Sequence, residues 1–136
     1  MVRSATSPVE AALQDPEEHE ESLLEREMNA VKAQLRALRR SLRDPEAREA
    51  SLASLQALQV SLLACKDQVP AHTERVPEAE RAAFVRDYRK EMAATLVQAI
   101  TVERAVLDGD ADAAKEAFDA LRRMEDPGHE RFTDGE

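Results

Sequence analysis

LEREMNAVKAQLRALRRSL, residues 24–42, is the stretch whose reading decides the fold. Its large apolar residues are Leu24, Met28, Val31, Leu35, Leu38 and Leu42, separated by steps of 4, 3, 4, 3 and 4. That spacing draws one apolar stripe along a helix and does not suit a strand, whose side chains alternate with a period of two. A helix with one such stripe is stable only when the stripe is covered, so the rest of the chain must supply other helices.

The first helix is predicted from about Pro16–Glu18 to about Arg43. Asp44-Pro45 follows, and Asp is a good N-cap while Pro suits a first helical position. The second helix is therefore predicted over 45–66, with Leu52, Leu55, Leu58, Val60, Leu62 and Leu63 as a broad apolar face. Residues 67–76 contain Pro70 and have no helical period. Val76-Pro77 then opens a third helix that runs to about Leu107. Its row is Phe84, Tyr88, Met92, Thr95, Ala99, Val102 and Val106. Leu107-Asp108-Gly109-Asp110 reads as a stop and a start, with Gly109 in a left-handed cap position and Asp110 capping the fourth helix. That helix carries Ala114, Ala117, Phe118, Leu121 and Met124 on one face. Pro127-Gly128 is expected to interrupt or kink it.

Short, long and short connections between four helices predict an all-α, antiparallel up-down-up-down four-helix bundle. Residues 1–16, acid-rich with Pro8 and Pro16, are expected to form a disordered lead-in, and residues 17–136 the bundle domain. The 136-residue chain has few aromatics and no hairpin dipeptides between alternating runs, so a β-fold is excluded.

A formal net charge of -9 argues against nucleic acid as a partner. No run approaches the length of a transmembrane span, and the first residues lack the apolar core of a signal peptide. Residues 28–43 hold five bases and no acid, whereas residues 1–27 hold eight acids. An acidic start and a basic end suit the helix dipole. An anion-binding patch is the other reading of those bases. Cys65 is the sole cysteine, so no intramolecular disulfide and no covalent haem motif exist. It continues the stripe of Leu55, Leu58 and Leu62 and reads as a small buried hydrophobe.

No Gly-flanked nucleophile, Gly-rich phosphate loop or paired ExxH unit occurs, so an enzyme is not expected. His19 lies in an acidic tract and His72 in the Pro-containing link, and both read as solvated. His129 differs through the topology. The first and fourth helices run in opposite directions, so Met28, near the start of one, and His129, near the end of the other, share one end of the bundle. Taken alone, Met28 reads as core and His129 as an exposed terminal histidine. As a pair, a thioether and an imidazole are apt axial ligands for haem iron.

LEREM with Met28, LDGDADAAKEA at 107–117 and GHERF at 128–132 together resemble the soluble cytochrome b562 family over about residues 23–132. The resemblance implies a four-helix bundle that carries electrons on non-covalent haem b, with Met28 and His129 as the axial ligands. It places Tyr88 and Met92 where the family sets aromatics of its third helix against the haem. Glu125, one turn before His129, offers no covalent attachment. The resemblance further implies a periplasmic monomer that meets a redox partner protein, without membrane insertion; a cytoplasmic location is the alternative. Departures from the family are the N-terminal extension of about twenty residues and Pro127 just before the histidine. The stripes by themselves are equally satisfied by a cofactor-free helical interaction module.

Overall fold

The computed structural model describes residues 22–70 and 73–132, with side chains described as far as Glu125. The expected lead-in, His19 and His72 lie outside the described residues. Among the described residues, four α-helices account for the bundle: α1 Leu23–Ser41, α2 Arg48–Lys66, α3 Glu78–Leu107 and α4 Ala111–Phe132, with a 3-10 turn at Thr73–Arg75.

A reciprocal capping box sets the start of α1. Glu25 N–H donates to Ser22 Oγ and Ser22 N–H to Glu25 Oε1, each at 3.0 Å. The first helix therefore begins at Leu23 rather than at Pro16–Glu18, because two of its otherwise unpaired N–H groups are satisfied there. Leu24, Met28, Val31, Leu35 and Leu38 are buried as the periodicity predicts, and Leu42 packs at the edge of the core.

Asp44 does not cap the second helix. Its Oδ1 accepts from Glu46 N–H at 2.9 Å and its carbonyl from Ala47 N–H at 2.9 Å. The Asp thus builds a tight turn of its own, which uses up residues 44–47 and delays α2 to Arg48. Across that turn Ser41 Oγ and Ser51 Oγ lie 2.7 Å apart and share a hydrogen bond. The core face of α2 is also narrower than predicted. Leu55, Leu58, Leu62 and Cys65 are buried, but Val60 is 59% and Leu63 49% exposed. Two of the positions assigned to a broad apolar face therefore point to solvent, since the neighbours of α2 meet only one side of it.

Tyr88, Met92, Thr95, Ala99, Val102 and Val106 line the inner face of α3 as predicted. Thr95 is a polar member of this row; its hydroxyl donates to the Glu91 carbonyl at 2.9 Å and so is satisfied inside the helix. Gly109 closes α3 with φ of 74°, and Asp110 N–H returns to the Ala105 carbonyl at 3.1 Å. Asp110 Oδ1 then accepts from Ala113 N–H at 3.0 Å and starts α4. α4 runs through Pro127 and Gly128 to Phe132, contrary to the expected break. A proline's fixed φ is itself helical, so the backbone passes through position 127 at the loss of one intrahelical bond.

Close packing follows chain order. α1 packs on α2, α2 on α3 and α3 on α4, while α1 and α4 make no comparably close backbone approach among the described residues. Side chains tie the packed seams: Gln59 Nε2 to Glu103 Oε1 at 2.6 Å joins α2 to α3, and Gln98 Nε2 to the Ala117 carbonyl at 3.0 Å joins α3 to α4. The result is the up-down-up-down bundle with one of its four seams left open.

Candidate functional site

The open seam is bordered by one flank of α1 and one of α4. On α1, Met28, Lys32, Leu35, Arg39 and Leu42 recur at steps of 4, 3, 4 and 3, a row just off the centre of the core stripe. On α4, Lys115, Phe118, Arg122 and Glu125 recur at steps of 3, 4 and 3, and the next step of 4 arrives at position 129. Two clefts fix how these rows face each other. The larger, of about 490 Å³, is lined by Arg39 of α1, Leu42 and Arg43 just past its end, and Lys115, Phe118, Asp119 and Arg122 from α4. The smaller, of about 190 Å³, is lined by Lys32, Leu35, Arg36 and Arg39 together with Arg122 and Glu125. Each step back along α1 is matched by a step forward along α4. One further turn in this register brings Met28 level with the last turn of α4, which holds residues 129–132.

At that end of the bundle Met28 is buried, with only 5% of its surface exposed. The last turn of α2 and the first half of α3 meet there too. The Tyr88 hydroxyl donates to the carbonyl of Cys65, and both residues are fully buried. Met92, one turn further along α3, is buried as well. Burial, and after it the charge of Glu27 on α1, pushes the Cys65 thiol up to about 12. Burial, and after it the nearby Cys65, also raises the Tyr88 phenol above its ordinary value. Both groups are therefore neutral at pH 7, and Cys65 is not a reactive thiolate.

The sequence-predicted residues are thus gathered by the fold to this extent. Met28, Tyr88 and Met92 enter the core at one end, and the α4 backbone carries position 129 to the same level; the side chain of His129 lies beyond those described. Met28 is the one soft donor on the α1 flank of the seam, and it belongs to the apolar core. Among the described residues no group of three or more His, Cys, Asp or Glu side chains is placed to hold a metal ion. Buried apolar walls and a thioether among them suit a hydrophobic prosthetic group.

The sequence model of the cytochrome b562 family matches residues 23–133. This chain belongs to the cytochrome b562 family. The match spans all four helices, and the family is one of haem-binding electron carriers, typically periplasmic. No curated protein and no solved structure matches the chain. No helix among the described residues of this b562-family chain is long and apolar enough to cross a membrane.

Sequence reasoning weighed an anion-binding patch among the bases of residues 28–43, but it did not see the α4 side of the seam. Lys32, Arg36 and Arg39 recur at steps of 4 and 3 along one flank of α1, and Arg43 follows 4 residues later in the turn after it. That spacing was available in the sequence, but helix-dipole stabilisation explained the same charges. Only the fold shows that Lys115 and Arg122 of α4 come to meet them.

Proposed function

We propose that this chain binds one haem b without a covalent link and carries single electrons on it, and that Met28 and His129 would hold it. The observation that carries the proposal is the buried Met28 thioether at the end of an open α1–α4 seam, in register with the turn of α4 that holds position 129. Family membership supports the cofactor. Met28 would hold the group through Sδ and His129 through an imidazole nitrogen, and Tyr88 and Met92 would line the site from α3. The bound group supplies a one-electron change of the iron, and a Met ligand raises its potential.

The residues of the chain do the rest. The buried ends of α1, α2 and α3 keep water away from the site, which narrows the reorganisation that accompanies electron transfer. The bond from Tyr88 to the Cys65 carbonyl holds the α3 wall of the site against α2. With Met28 and His129 both engaged in holding the group, the chain would act as a carrier and not as an enzyme. It works as a monomer that meets a redox partner protein, in the periplasm as its family typically does. It binds no nucleic acid and does not insert in membrane.

The test is reconstitution of the full chain with haem, followed by the visible spectrum. One equivalent is expected to give a six-coordinate, low-spin Met/His signature. Met28→Leu conserves volume and should keep the bundle folded at a cost under about 1.5 kcal/mol, yet lose that signature. Met92→Leu should retain it, which separates a wall residue from a competing ligand. A folded protein with no saturable response to haem would reject the proposal and leave a cofactor-free helical module.

A further inference from the structure

The α1–α4 seam has a second half, remote from Met28, that the haem reading does not use. Its larger cleft brings Arg39 of α1 and Arg43 of the turn after it against Lys115 and Arg122 of α4, with Asp119 as the sole acid in the lining. In a bundle seam, opposite charges usually face each other. Here bases face bases in a chain whose net charge is -9. Like charges across an unfilled cleft repel each other, and among the described residues none of Arg39, Arg43, Lys115 and Arg122 makes an ion pair. The smaller cleft continues the same character with Lys32 and Arg36, offset by Glu125.

We infer that this half of the seam is a binding site for a small organic anion carrying two or more phosphate or carboxylate charges. Guanidinium groups from two helices present planar, forked donors that match oxyanions. The floor is apolar: Phe118 is 4% exposed, and Leu42 packs against the core. The volume of about 490 Å³ falls within the range of small-ligand pockets. A concave site between helices favours a small molecule over a flat protein face. The bound anion clamps α1 to α4, replaces the repulsion with bridging contacts, and closes the seam that side-chain packing leaves open.

The experiment titrates the full chain with pyrophosphate and, separately, with citrate, against sodium chloride at matched ionic strength. Heat of binding and Tm are read, with and without haem. One-equivalent binding of either anion, with a Tm that rises with its concentration, is the expected result. Pyrophosphate alone points to a phosphate ligand and citrate alone to a carboxylate ligand. The exposed pair Arg39→Gln/Arg122→Gln should weaken binding by at least about tenfold, while Arg104→Gln on α3 leaves it unchanged. No binding beyond the chloride control overturns the inference, as does binding that the Arg39/Arg122 variant retains. A haem-free sample gives the same answer, so failure here is separate from failure of haem binding.

Discussion

Replacing Tyr88 with Phe removes one hydroxyl from the most enclosed part of the bundle and leaves the ring in place. The magnitude follows from what that hydroxyl touches. It donates to the Cys65 carbonyl, which also accepts Gln68 N–H at 3.0 Å. The carbonyl therefore keeps a partner in the variant, and the cost is that of a net hydrogen bond, about 0.5–1.5 kcal/mol, rather than that of a stranded polar group, about 1–3 kcal/mol. For a domain of this size about 1 kcal/mol corresponds to a fall in Tm of roughly 3–6 °C. Tyr88→Ala also removes the ring from a fully buried position and should cost about 3–5 kcal/mol. The assay is urea unfolding of the haem-free protein at pH 7, followed by far-UV circular dichroism and compared at constant m-value. If Tyr88→Phe is neutral, the bond contributes nothing; if it costs as much as Tyr88→Ala, the ring packs by way of the hydroxyl. Either outcome refutes the arrangement described for this end of the bundle.

The remaining predictions concern pH and the helix start. The folded-state value of Cys65 is raised from 9.0 to about 12, so its neutral form contributes stability that is complete below pH 9 and lost as pH rises towards 12. Cys65→Ala should flatten that part of the stability–pH curve, and the native wild-type thiol should resist iodoacetamide at pH 8 while the urea-unfolded one reacts. Ser22→Ala breaks the capping box of α1 and should cost about 1 kcal/mol in the same urea assay; Ser22→Asn should recover most of it, and equal losses for both variants would argue against a capping role.

The bundle was legible because each helix declares itself twice, by an apolar period and by local punctuation. Leu107-Asp108-Gly109-Asp110 is the clearest case, since the positive φ of Gly109 and the Asp110 cap both follow from residue type. Punctuation misled where one residue had two roles open to it. Asp44 chose a turn over a helix cap, and Pro127 fell near enough to a helix end to be absorbed. Val60 and Leu63 show the limit of composition: an apolar residue reports that it can be buried, not that a neighbour is there to bury it. At the site, Met28 was separable from ordinary core only through topology, because its spacing is that of its aliphatic neighbours. The seam bases were hidden differently. Their positions were plain, but their meaning depends on which flank of α1 looks towards α4, and spacing within one helix does not carry that.

The open seam also bears on how the chain acquires its shape. Every tight interface joins helices adjacent in sequence, so the contacts are mostly local and the loops that must close are short. Domains with such low contact order fold quickly, and each hairpin here can form before the next is needed. The first and last helices each have one packed neighbour rather than two. In the absence of a guest between them they are the units expected to open first and exchange their amides soonest, while α2 and α3 hold the most protected core. Ring closure is the step that sequence-local packing does not complete, and a guest held in the seam would complete it.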